Sequence, residues 1–182
     1  APQRFSAETH PRLATAAAAF SYHRSRPYVR LDASCALSRS AYACRLDGPV
    51  AAGRIIERAV LAATAELGLG MESVALTGFS QGGMMSLHCG FHMASTPRAV
   101  VSFSGALLRA DEMPTPDQGP AVMLIHGTDD QVVPFQMMQA AADVLAEHGV
   151  EAECVARPGL GHGIDPDALT QAIDFLSRQL PD

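Results

Sequence analysis

Lysine and tryptophan are absent, aromatic residues make up 5% of the chain and charged residues 18%. With 48% of its 182 residues apolar, such a chain is expected to fold as one compact soluble domain with a sizeable core. No run of about 18 apolar residues occurs, so no segment is expected to span a membrane. A basic face is missing as well. Residues 48–182 carry six Arg against sixteen acids, a balance of −10, whereas residues 1–47 carry seven Arg against three acids, a balance of +4. The acidic main body argues against nucleic-acid partners, which require a basic surface. The four cysteines (Cys35, Cys44, Cys89, Cys154) form no C-x-x-C pair and no metal-ligand spacing. Cys89 and Cys154 lie in apolar segments and read as buried thiols. A Cys35–Cys44 disulfide is not expected, which makes a reducing, cytoplasmic setting the default.

Residues 1–47 are rich in Ala, Ser and Arg, poor in acids, and follow no period of 2 or 3.6. Leu13–Phe20 reads either as a short helix or as the apolar core of a targeting segment. A targeting remnant, residues foreign to the natural chain and degenerate sequence all fit this stretch. The irregular segment 1–47 is therefore set apart from a regular body, 48–182. In that body Ile55, Ile56, Ala59, Val60, Ala63 and Leu67 form one stripe of an amphipathic helix over 51–67. Strands are expected at 73–77, 99–103, 121–125 and, more weakly, 151–156. Helices are expected after residue 80, over 135–148, and from 167 to about 180. The last helix has Asp165 as N-cap and Pro166 at its first position, and is expected to bury Leu169, Ile173, Phe175 and Leu176. Apolar strands alternating with helices imply an α/β fold, a mostly parallel sheet with helices on both faces. Function then belongs at the carboxyl ends of the strands.

One stretch organises the body. Val74–Thr77 is an apolar run of strand length that passes directly into Gly78-Phe79-Ser80-Gln81-Gly82 and then into a helical pattern. Gly-x-Ser-x-Gly between strand and helix describes a nucleophile elbow, a turn so tight that Gly78 and Gly82 are expected to serve as neighbours without side chains. Ser80 would project above the sheet, and the N–H of Gln81 would point where an oxyanion develops. A serine hydroxyl needs a base, and the base needs an acid to fix its tautomer. Both follow in the order Ser, Asp, His. His126-Gly127-Thr128-Asp129-Asp130-Gln131-Val132-Val133-Pro134 comes directly after a strand, and Gly161-His162-Gly163 comes just before the last helix. His126 precedes the acid and reads as a loop-holding residue, and Phe79 as packing against the sheet. His88 and His92, four apart on a helix, have a spacing that can bind zinc. They lack a third ligand and read as an ordinary helix face.

Gly-Phe-Ser-Gln-Gly-Gly, His-Gly-x-x-Asp-x-x-Val-Pro, the Gly-His turn and Phe103-Ser104-Gly105-Ala106-Leu107 together resemble the carboxylesterase/acyl-protein thioesterase (phospholipase/carboxylesterase) family of α/β-hydrolases, over roughly Ala51 to the C-terminus. The resemblance implies Ser80 as nucleophile, Asp130 as orienting acid, His162 as base and Gln81 as one oxyanion donor. It implies an ester or acyl-thioester substrate, no metal or cofactor, and a homodimer. Asp130 rather than Asp129 fits the spacing to Val133-Pro134. Phe79, Leu107, Val133 and Leu160 are the candidate substrate-binding residues. With Leu108 and Val132 they make surroundings apolar enough for a short or medium acyl chain. The family's usual N-terminal strands and His-Gly-x-Gly loop have no counterpart in residues 1–47, so an N-terminally incomplete α/β-hydrolase fold is expected. A catalytically impaired remnant serving as a binding or interaction module is the alternative to an active hydrolase.

Overall fold

The structure, a computed structural model, describes residues 47–115 and 119–180. Leu13–Phe20, Cys35, Cys44 and the question of N-terminal strands lie outside those residues. The described elements are α1 (Asp47–Leu67), β1 (Ala75–Phe79), α2 (Gln81–His92), β2 (Ala99–Phe103), β3 (Ala121–Gly127), α3 (Gln136–Glu147), β4 (Ala152–Arg157) and α4 (Pro166–Gln179). The four strands lie side by side in the order β1-β2-β3-β4, every pair parallel. Phe79, Phe103 and Ile125 stand in register at the carboxyl end. The residues that follow β1, β3 and β4 therefore emerge at one end of the sheet.

The apolar strands make the sheet a shared wall between two cores. On one face Leu76, Val100, Val122 and Leu124 pack with Val60 of α1, Leu87 of α2, and Met138 and Leu145 of α3. On the other, Ala75, Val101, Phe103, Met123 and Ile125 pack with Ala168, Ala172 and Phe175 of α4. All five β2 residues are buried, as befits a strand covered on both faces.

Several expectations shift by part of a helical turn. Ile55 and Leu67 are exposed, and the inward line of α1 is buried Gly53, Val60 and Thr64 with half-buried Ile56. The glycine sets that rotation by letting α1 approach α2, since a Cβ on Gly53 would stand 3.2 Å from His88 Cδ2. Leu169 and Ile173 are likewise exposed, at 51% and 54%. Here α4 lies down on Ala168, Ala172 and Phe175, the two alanines permitting close approach to the sheet. The larger aliphatics are turned outward by about 100°. Cys89 is buried as expected, whereas Cys154 is exposed because β4 is an edge strand. None of the described helices is long and apolar enough to cross a membrane.

Candidate active site

Strand β1 runs to Phe79 and helix α2 begins at Gln81, which leaves Ser80 alone to make the turn. Its φ of 55° and ψ of −119° lie where side-chain-bearing residues rarely sit, a conformation costing about 1–3 kcal/mol. The surroundings hold it there. Ser80 N donates to Phe103 O at 2.8 Å, and Met84 N donates to Ser80 O at 3.0 Å. A Cβ on Gly78 would fall on the backbone carbonyl of Gly82. One on Gly83 would stand 2.6 Å from Ser102 Oγ, whereas one on Gly82 would meet nothing within 4 Å. The tight pair of glycines is thus 78 and 83, not the 78 and 82 that the pentapeptide suggests. Gln81, first residue of α2, has an N–H without an intrahelical acceptor.

Three strand ends bring Ser80, Asp130 and His162 together. His162 Nε2 lies 3.0 Å from Ser80 Oγ, and His162 Nδ1 lies 2.7 Å from Asp130 Oδ2. The tautomer that satisfies both has Nδ1–H donating to the carboxylate and Nε2 accepting the serine O–H. The Asp130 side chain is wholly shielded from solvent. Burial by itself would raise its pKa. Hydrogen bonds from His162 and from the backbone N–H groups of Val133 and Val132 outweigh that and hold it at about 2. Ser104 adds the last and weakest contribution. It is 1% exposed, has a positive φ of 47°, and its Oγ makes no hydrogen bond of ordinary geometry, leaving its hydroxyl dipole to favour the carboxylate. Asp129 is exposed and accepts from Thr128 Oγ1 at 2.8 Å. Buried His126 donates from Nε2 to Val133 O at 2.9 Å, 3.4 Å from Asp130 Oδ2, and so ties the acid loop to β3.

The histidine loop, 158–164, is stitched to the acid loop. Asp129 N donates to Leu160 O at 3.0 Å, Thr128 N to Arg157 O at 3.0 Å, and Gly159 N to Thr128 Oγ1 at 2.9 Å. At its far end Asp165 caps α4 by accepting from Ala168 N at 2.7 Å, and Arg157 forks onto the same carboxylate at 2.9 and 3.1 Å. That pairing lowers the pKa of Asp165 and raises that of Arg157. Phe79, expected to pack on the sheet, is 38% exposed, and its ring centroid lies 4.7 Å from that of His162. Among the other candidate substrate-binding residues, Val133 is buried, Leu107 packs against the larger core and Leu160 is half-buried. Ser104 stands in the Phe103–Leu107 motif, which gave it no contact with Asp130, and Thr128 and the Arg157–Asp165 fork carry no signal that would have singled out their contacts.

Among the described residues no group of three or more His, Cys, Asp or Glu is placed to hold a metal. His88 and His92 stack at 4.2 Å, and His92 Nδ1 lies 2.9 Å from His88 O. Burial, then the charges of His92 and Arg109, lower the pKa of His88 to about 4.

Residues 53–180 match the phospholipase/carboxylesterase family. Among similar proteins, an acyl-protein thioesterase 1 of Gibberella zeae is 36% identical over 63% of this chain and 51% of its own length. The carboxylesterase SOBER1 of Arabidopsis thaliana is 34% identical over 62% and 51%. The chain spans about half the length of the curated relatives it matches. Among solved structures, esterase PE8 superposes with a TM-score of 0.71 at 33% identity, covering 79% of this chain and 67% of that one. Arabidopsis SOBER1 superposes with 0.68 at 29%, covering 74% and 66%.

Proposed function

This chain belongs to the phospholipase/carboxylesterase family, and from that premise we propose that it is a serine hydrolase that cleaves carboxylic esters or thioesters through an acyl-enzyme. Ser80 Oγ attacks the carbonyl carbon while His162 Nε2 takes its proton. Asp130 accepts from Nδ1–H and stabilises the imidazolium that forms. The Gln81 N–H donates to the developing oxyanion, aided by the N-terminus of α2. As the tetrahedral intermediate collapses, the alcohol or thiol leaves with the proton from Nε2. Water, activated by the same imidazole, then releases the acid and restores the serine. Ester and thioester cleavage use the same groups. The apolar residues beside the serine favour a short or medium acyl chain.

The observation that carries this reading is the unbroken hydrogen-bond chain from buried Asp130 through His162 to a strained Ser80, at 2.7 and 3.0 Å. The test is hydrolysis of p-nitrophenyl butyrate by the full chain and by Ser80→Ala at about pH 8. Turnover in the wild type that vanishes in the variant is the expected outcome. Equal rates in two folded proteins would overturn the hydrolase reading in favour of a binding or interaction module.

A further inference from the structure

An imidazole that must move protons between two partners has to be held in three directions. Asp130 and Ser80 hold the two nitrogen edges of His162 at 2.7 and 3.0 Å, which fixes rotation within the ring plane. Neither contact resists tilting of the ring out of that plane. The loop is tied down ahead of the histidine, but His162 itself stands between Gly161 and Gly163, and a Cβ on Gly163 would meet nothing within 4 Å. The ring of Phe79 lies against the imidazole, with centroids 4.7 Å apart and planes inclined at 43°. Phe79 is the last residue of β1 and Ser80 follows it. The wall and the nucleophile are therefore carried by the same strand end, and the ring is located relative to Ser80 Oγ by one rigid element.

Phe79 is also conspicuous as a packing residue that is not packed away. It is 38% exposed, so the core does not require it. Its ring centroid lies 4.7 Å from that of the imidazole, within the distance, about 6 Å, at which an aromatic ring attracts a cation. During the reaction His162 passes from neutral imidazole to imidazolium, so that attraction is greatest where charge develops and small in the resting enzyme. We infer that Phe79 is a positioning residue for His162, keeping the imidazole upright between Asp130 and Ser80 and stabilising the positive charge it acquires when Ser80 is deprotonated. This rests on the hydrolase reading above, and it differs from the role of substrate wall that the sequence suggested for the same residue.

The experiment uses the full chain with Phe79 replaced by Leu, by Tyr, and by ring-fluorinated phenylalanines of increasing fluorine content, which keep the shape and drain the π face. Two reactions are followed, turnover of p-nitrophenyl butyrate and labelling by an alkyl fluorophosphonate. In the latter Ser80 Oγ bonds to phosphorus, fluoride leaves, and His162 accepts the serine proton. Expected are near-normal rates for Phe79→Tyr and a fall of about tenfold in both kcat and labelling rate for Phe79→Leu. Across the fluorinated series the fall should be graded, with KM within about twofold of wild type. A purely structural role would leave the fluorinated series flat, and a substrate wall would move KM while sparing kcat. Either result overturns the proposal. Ser80→Ala in the same assays separates the two levels. If it equals wild type, the hydrolase reading itself fails and takes the proposal with it. If it is dead while the series is flat, only the role of Phe79 fails. Should Phe79→Leu not fold, as judged by its thermal melt, the shape-conserving fluorinated set still decides.

Discussion

At the scale of single residues, Asp130 is where geometry and electrostatics are most tightly bound. Oδ1 accepts two backbone N–H groups at 2.9 Å each and Oδ2 accepts His162, so every bond favours the ionised form. The folded pKa, about 2, lies below the ordinary 3.8. A depressed carboxylate pKa contributes stability that is fully present above the unfolded value and is lost as pH falls through the folded one. Denaturant midpoints of the wild type are therefore expected to decline between about pH 4 and about pH 2, and Asp130→Asn should flatten that decline. If the variant follows the wild-type curve, Asp130 is not the group responsible. Asp130→Asn should also lower kcat by about 10³–10⁴-fold, since an amide cannot hold the tautomer. Asp129→Asn, altering an exposed carboxylate that accepts from Thr128 rather than from the histidine, should remain within about twofold. Steady-state rates of the two variants side by side decide between neighbouring aspartates that sequence separates only by spacing.

At the scale of elements, the elbow depends on one glycine more than its motif implies. A methyl group on Gly78 would strike the Gly82 carbonyl, backbone against backbone with nothing able to yield, whereas one on Gly82 points into open space. Gly78→Ala is expected to cost about 3 kcal/mol or more, or to prevent folding. Gly82→Ala, in the first turn of α2, should be neutral or stabilising by about 0.5–1 kcal/mol. Urea denaturation of both variants reads the difference, and equal losses would sink this account of the turn. The same physics separates what was legible in the sequence from what was not. The order of strands and helices, the Asp165 cap, and the meeting of Ser80, Asp130 and His162 were readable, because each rests on local chemistry or on a parallel sheet delivering loops to one end. The rotation of α1 and α4 was not. Ile55, Leu169 and Ile173 look like core residues by hydropathy, yet which stripe faces inward was decided by the smallness of Gly53, Ala168 and Ala172 against their neighbours. The sheet packing expected of Phe79 was misread for a related reason. Its destination is a ring eighty-three residues away in sequence, and no local pattern points there.

At the scale of the molecule, the parallel order β1 to β4 gathers Ser80, Asp130 and His162 at one end, in a body that is acidic overall. Residues 48–182 carry six Arg against sixteen acids, so a negatively charged substrate approaches against a net repulsive field, while a neutral one feels none of it. Salt screens such a field over about 10 Å at 0.1 M. Raising NaCl from about 20 to about 300 mM should therefore lower KM for an anionic ester, such as p-nitrophenyl succinate, by roughly threefold. For p-nitrophenyl butyrate KM should be unchanged. The neutral ester controls for any effect of salt on folding or on the chemical step, which would move both substrates together. A KM for the anionic ester that instead rises with salt would mean that positive charge dominates the approach to Ser80. The one concentration of it in the chain is residues 1–47, with seven Arg against three acids. Neutralising those arginines would then abolish the salt effect, and the field at the site would belong to that segment rather than to the acidic body.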